Sequence, residues 1–205
     1  MFKSKTVFIL GAGSSNEVDM PLGHGLKKII ANNLDIRYEK GYMRSSGDAH
    51  IDSAFRLHAR EKNTNINNHL YASWRIRDAL PHSISIDNVL DAHSDDELMQ
   101  ICGKLGIVRS ILESERKSKL YYAGNYEEKV NFPNIENTWF AIFYKLLSQG
   151  VSKSDIGSIF QNVSFINFNY DRCLEQYLQA ALIESYALQP QTAYDLVNSL
   201  AILRP

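Results

Sequence analysis

Apolar positions in this chain fall into two short strand-like runs with a long stretch of helical spacing between them. Thr6 to Leu10 (TVFIL) is continuous, apolar and ended by Gly11. Such a run predicts a strand buried on both faces, as in a parallel sheet. Gly11-Ala12-Gly13-Ser14-Ser15-Asn16 then reads as a tight turn of small residues. From about Leu22 to Leu34, Leu22, Leu26, Ile29 and Ile30 recur at helical spacing. The order is strand, glycine turn, helix.

From Ala49 to about Gln149 the spacing is mostly helical. Ile51, Phe55 and Leu57-His58 mark one helix; Leu70, Trp74 and Ile76-Arg77 mark another, stopped by Pro81. Ser85 to Ala92 predicts a short helix, and Asp95 to Glu115 a longer one with a break at Gly103 or Gly106. Trp139 to Leu147 (WFAIFYKLL) is strongly apolar and reads as core. Val163 to Phe168 (VSFINF) alternates and predicts a second strand. Asp171 can cap the helix that follows, which carries Leu174, Tyr177, Leu178 and Ala181-Leu182. After Pro190 a short helix is expected around Ala193 to Leu200, and Ala201 to Leu203 starts a third strand. The expected fold is therefore α/β, a Rossmann-like parallel sheet in a single domain over residues 1–205, with a mostly helical insertion from about 40 to 150.

Composition narrows the function classes. With 205 residues, 44% of them apolar, the chain can bury a core without disulfides or metals. The balance of 22 basic and 23 acidic residues lacks the footprint of a nucleic-acid binder. Cys102 and Cys173 form no CxxC pair, so a four-cysteine zinc site is excluded and free thiols in a reducing compartment are expected. No metal is expected. No apolar run is long enough for a signal-peptide core or a bilayer span, which makes the cytoplasm the default location.

The glycine turn has a specific chemical use. Small residues let the backbone approach a pyrophosphate, and exposed amides at a helix start, carrying about half a positive charge, bind the anion. Gly11, Gly13, Ser14 and Ser15 suit that task. The match to GxGxxG is incomplete, because position 16 is Asn; a turn that serves packing alone is the competing reading. The second strand also ends in a polar cluster, Asn167-Phe168-Asn169-Tyr170-Asp171. In an open parallel sheet, ligands sit beyond the carboxyl ends of the strands. Asn169 there can bind ribose hydroxyls or orient a water, or it can serve the turn alone.

Together these motifs resemble the sirtuin-like NAD-binding domain, in the bacterial branch that hydrolyses NAD in antiphage defence. The resemblance rests on Gly11-Ala12-Gly13-Ser14-Ser15, on Met20-Pro21, on Asn169-Tyr170-Asp171 with Leu174-Glu175, and on Ser85-Ile86-Asp87 with Val89-Leu90. It implies that Gly11, Ala12, Gly13 and Ser14 cradle the pyrophosphate, with Ser15 and Pro21 beside them. It makes Asn169 the catalytic residue, which holds the nicotinamide ribose or its attacking water. Asp171 becomes a ligand-side or structural polar group, and Asp87 part of the site wall. NAD is then substrate or ligand, and a second copy of the chain or a partner or effector domain is an expected companion.

One departure follows. The family's catalytic His lies in a His-Gly element after the third strand, and the given sequence stops at Pro205, where that element is expected to begin. His24, His50, His58, His69, His82 and His93 each read as surface or packing residues, with His24 alone near the first turn. Two readings lead, an NAD hydrolase and a module that binds NAD or a derivative without cleaving it. A deacylase expects the missing zinc module. A dehydrogenase expects GxGxxG and an acidic residue closing its second strand, and Asp35-Ile36-Arg37 does not read as a strand end.

Overall fold

The computed structural model describes residues 2–122 and 129–205. In chain order the elements are β1 (Thr6–Leu10), α1 (Gly13–Asn16), α2 (Gly23–Leu34), β2 (Arg37–Glu39), β3 (Met43–Ser46), α3 (Ala49–Glu61), α4 (Ile66–Ala79), α5 (Ile86–Asp91), α6 (Glu97–Lys117), α7 (Trp139–Ser148), β4 (Val163–Asn167), α8 (Cys173–Tyr186), α9 (Pro190–Ser199) and β5 (Ala201–Leu203). The fold is α/β with a parallel sheet, as the apolar pattern predicts. β1 pairs with β4 from Thr6↔Val163 to Leu10↔Asn167, and β4 pairs with β5 from Ser164↔Ala201 to Ile166↔Leu203. Sheet order is β1-β4-β5.

The chain divides into two compact units. One holds the residues up to Met20 together with Ser114–Pro205; the other is Pro21–Glu113. These limits differ from the expected insertion of about 40 to 150, part of which (123–128) lies outside the described residues. The cause is packing. Ile30 and Leu34 of α2 are fully buried in the core of the second unit. In the first unit Phe143 of α7 lies edge-on to Phe8 and Phe165 of the sheet, at ring-centroid distances of 5.1 and 5.5 Å.

Among the described residues of the first unit, one face of the sheet is well covered. Phe8, Leu10, Val163 and Phe165 turn toward α7, and Tyr177 brings α8 in against Phe140 and Tyr144. Val7 and Ile9 point the other way and are 58% and 71% exposed. The expectation that β1 is buried on both faces is thus corrected. A continuous apolar run does not reveal which of its faces finds a partner, and alternation along the strand separates Phe8 from Val7 and Ile9.

In the second unit, α2 to α5 and most of α6 surround Phe55, Ile76, Leu80 and Met99. Caps set the helix starts: the Asp48 carboxylate accepts the His50 and Ile51 amides, and Ser85 accepts the Asn88 amide. Helix α6 runs unbroken through Gly103 and Gly106, where a break was expected. Close approach explains both glycines. A Cβ at Gly103 would lie 2.4 Å from Leu90, and one at Gly106 3.2 Å from Ile30 and Leu34. The short antiparallel pair β2–β3 has no counterpart in the apolar pattern, since only Tyr38 and Met43 interrupt its polar residues. Among the described residues no helix is long and apolar enough to cross a membrane.

His69 of α4 is fully buried, and its Nε2 lies 2.8 Å from Nδ1 of His58 in α3. One nitrogen donates and the other accepts, so at least one ring is neutral. Burial, and then the charge of a protonated His58, hold the His69 pKa below its ordinary value. The folded state therefore binds a proton less readily than the unfolded chain. The stabilisation is present in full above about pH 6.5, the ordinary value for His, and is lost progressively as the pH falls from there through the lowered folded value. The urea midpoint of the second unit should accordingly drop between about pH 7 and pH 5. A midpoint that holds constant, or rises, over that interval contradicts a neutral His69.

Candidate functional site

The first unit brings the two sequence motifs together at the carboxyl ends of β1 and β4. After Leu10 the chain makes one helical turn, α1, instead of running straight into a long helix. The Ser14 amide donates to the Gly11 carbonyl at 2.8 Å and closes the turn. Gly11, Ala12 and Gly13 are exposed, and a Cβ built on Gly11 or Gly13 would meet nothing within 4 Å. Among the described residues no contact demands glycine at either position. The long helix α2 starts only at Gly23, so the turn carries local amides and hydroxyls and does not open a long helix directly.

On the β4 side, the Phe168 amide donates to the Leu10 carbonyl at 3.0 Å and extends the ladder one step past the strand. Buried Asn167 accepts the Asn169 amide on its side chain at 3.0 Å. Asn169 then reaches across to the glycine turn. Its Nδ2 donates to Ser14 Oγ at 3.0 Å and to Ser15 Oγ at 3.1 Å. The two serine protons go elsewhere, Ser14 to the Gly11 carbonyl at 2.9 Å and Ser15 to Asp171 Oδ1 at 2.9 Å. Both hydroxyls must therefore accept from Asn169, which fixes the orientation of its amide. Nδ2 faces the serines, and the carbonyl Oδ1 faces the other way. Asn169 was expected to offer a donor and an acceptor to a ligand. With both N–H bonds engaged by the serines, the acceptor is the group that remains for that role.

Ser15 was expected beside the ligand and Asp171 as a ligand-side or structural polar group; both lie buried beneath the turn. They are 2% and 6% exposed. Asp171 Oδ1 takes the Ser15 hydroxyl and also the Cys173 amide at 3.0 Å. Asp171 stands one residue before the cap position of α8, which is Arg172, and accepts the amide of the first helical residue from there. Cys173 is buried against the same carboxylate; burial, with Asp171 beside it, raises its thiol pKa well above the ordinary value and keeps it neutral. Pro21 and Asp87 belong to the second unit. Pro21 precedes α2, and Asp87 is exposed in the first turn of α5.

Two contacts at the site gave no signal in the sequence. The Trp139 indole donates to the Ser14 carbonyl at 2.6 Å, and its amide donates to Glu17 Oε2 at 2.7 Å. Trp139 reads as core by composition, yet it also clamps the glycine turn. Arg204, just past β5, donates to the Asn169 carbonyl at 2.7 Å. Beside Asn169 lies a cleft of about 320 Å³, lined by Phe168, Asn169, Tyr170, Arg172, Glu175 and Arg204 among others. Arg172 and Glu175 also line a cavity of about 280 Å³ that includes Glu115, Tyr121, Gln176 and Gln179. Burial raises the Glu115 pKa, against the opposing effect of the Arg172 amide that it accepts at 2.8 Å; Asp171 and Glu175 add to the rise.

Comparison with family models, curated proteins and solved structures finds no match. Among the described residues no cluster of His, Cys, Asp or Glu could hold a metal ion. Asp35, the acidic residue a dehydrogenase would need at a strand end, lies between α2 and β2 and pairs with Arg77 and Arg37.

The floor of the site generates a stability prediction. Asp171→Ala leaves the Ser15 hydroxyl and the Cys173 amide buried without an acceptor, at a cost of about 2 kcal/mol or more. Asp171→Asn keeps one acceptor oxygen and should lose distinctly less. Denaturant unfolding of both variants checks the order, and an alanine variant as stable as the native chain would remove Asp171 from the structural floor.

Proposed function

We propose that the first unit binds NAD, or a close relative of it, across the carboxyl ends of β1 and β4, and that the chain hydrolyses NAD to nicotinamide and ADP-ribose. The observation that carries this reading is the pair of hydrogen bonds from Asn169 to Ser14 and Ser15. They join the glycine turn to the second polar turn, at the edge of a parallel sheet where ligands of such folds sit. The resemblance of the same two motifs to the sirtuin-like NAD-hydrolase branch supports the choice of ligand and, with it, a role in antiphage defence.

The residues divide the work. The open backbone of Gly11, Ala12 and Gly13 and the half-buried Ser14 receive the pyrophosphate. Asn169 presents Oδ1 to a ribose hydroxyl or to the water that attacks the ribosyl carbon. Departure of nicotinamide leaves positive charge on the ribose ring, and an oriented carbonyl dipole beside it lowers the energy of that state. Ser15 and Asp171 hold the amide in place without touching the ligand.

Binding without cleavage is the second reading. All six histidines fall within residues 21–113, so the first unit supplies no imidazole as a general base. Incubation with NAD and chromatography of the products separates the two: nicotinamide with ADP-ribose marks hydrolysis, and intact NAD with measurable affinity marks a binding module.

Two variants test the site itself. Gly13→Val places methyl groups in the open space above the turn and should abolish NAD binding in calorimetric titration with little change in melting temperature. Unchanged affinity in the folded variant would take the glycine turn out of the site. If the native chain turns NAD over, Asn169→Ala should reduce turnover on the order of a hundredfold or more while affinity falls much less, because a positioned polar group at the reacting centre contributes a few kcal/mol. Near-normal turnover combined with a lowered melting temperature would assign Asn169 to turn geometry alone.

A further inference from the structure

We propose that Arg204 is the positioning residue of this site, holding the Asn169–Asp171 turn so that the Asn169 amide faces the serines. The inference deepens the NAD-binding reading and rests on it for the choice of ligand. Its basis is the way the sheet ends on its two sides. On the β1 side the backbone ladder continues past the strand, through the Phe168 amide and the Leu10 carbonyl. On the β5 side pairing stops at Ile166↔Leu203, and the turn beyond has no backbone ladder partner from β5. Arg204, the next residue, takes over with its side chain.

One guanidinium nitrogen, Nη1, donates to the Asn169 carbonyl at 2.7 Å and to the Asp171 carbonyl at 3.4 Å. The other, Nη2, donates to Glu175 Oε1 at 2.5 Å. Three acceptors on the turn and on the first turn of α8 thus converge on one rigid, planar fork. The carbonyls of residues 169 and 171 flank Tyr170, so fixing both fixes the backbone from which the Asn169 side chain springs. A lysine ammonium has no such fork and cannot reproduce the spacing of these acceptors. Glu175, half-buried and paired with Arg204, sets the direction of the guanidinium. Arg204 also lines the cleft beside Asn169, yet the bonds that define it here all run to the protein.

The test uses the full chain, as wild type, Arg204→Ala and Arg204→Lys. Exchange of the Asn169 side-chain amide protons is followed by nitrogen–proton correlation spectroscopy without ligand, with the signals assigned by their loss in Asn169→Ala. NAD affinity and melting temperature are measured on the same samples. A positioning role gives amide exchange about tenfold faster or more in both Arg204 variants, and NAD affinity weakened to a similar degree, since a charge-assisted hydrogen bond contributes that much. Guanidinium ion at a concentration too low to denature should restore part of the affinity to Arg204→Ala, where sodium chloride at equal strength does not. Unchanged amide exchange overturns the positioning role whatever NAD does. So does affinity lost only in proportion to melting temperature, without rescue. A wild-type chain that fails to bind NAD, with exchange that still depends on Arg204, overturns the ligand assignment and leaves the positioning role standing.

Discussion

The hydrogen bonds between the Asn169 amide and the hydroxyls of Ser14 and Ser15 are the contact on which the rest of the site depends. They connect positions about 155 residues apart in the chain. Neither hydroxyl is free to choose its partner, because the proton of Ser14 goes to its own turn and that of Ser15 to Asp171. The Ser15–Asp171 bond is the buried one, and leaving it unmade would cost about 1–3 kcal/mol. Asp171 extends the network into α8 through the Cys173 amide, and Asn167 extends it back into β4. Two turns, one strand end and one helix start thus share a single set of polar contacts. A change at any member is felt at Asn169.

This network requires β1 and β4 to be neighbours and in register. Leu10 and Asn167 are paired at the ends of the strands, so both chains leave the sheet at the same height. The register is held from below by aromatic packing. Phe8 stacks on Phe165 at 5.4 Å, and Phe143 closes edge-on over both. Slipping β1 by one residue would turn Val7 and Ile9 into this cluster and send Phe8 outward, so the rings specify the register that the polar groups then use. Trp139, on the same helix as Phe143, carries the link upward by donating to the Ser14 carbonyl. Core and site are thus connected through one helix.

What the sequence reveals of this arrangement follows a physical division between local and distant causes. Strand β1, the glycine turn, strand β4 and strand β5 are legible because each is written in adjacent residues, as apolar runs or small residues. The end of β4 and the end of β1 are also legible as one site, since ligands gather at strand ends in parallel sheets. The burial of Ser15 is not legible, because it depends on a carboxylate 156 positions away. Gly103 and Gly106 mislead for the same reason. Their cause is a leucine on another helix at one position and two residues of α2 at the other, and neither is a local turn. Trp139 and Arg204 carry no signal of their contacts, since an indole in an apolar run and an arginine after a strand are unremarkable until the fold supplies the carbonyls they bind. The exposed face of β1 is hidden because TVFIL is apolar at every second residue on both sides.

The contrast between Ser15 and Gly13 gives the site its chemical character. Ser15 is locked on all sides by polar partners, whereas Gly13, two residues earlier, faces open space. A hydrogen-bonded floor thus lies below a backbone that, among the described residues, no side chain covers. The same hydrogen bonds decide what Asn169 can offer. Its donors are held by the serines, so the carbonyl oxygen is the group left to accept from a hydroxyl or a water. A carboxylate in its place would set a negative oxygen against serine oxygens whose protons point elsewhere, and the network would have to reverse to accommodate it. The fit of an amide at position 169 therefore follows from the directions of two serine protons.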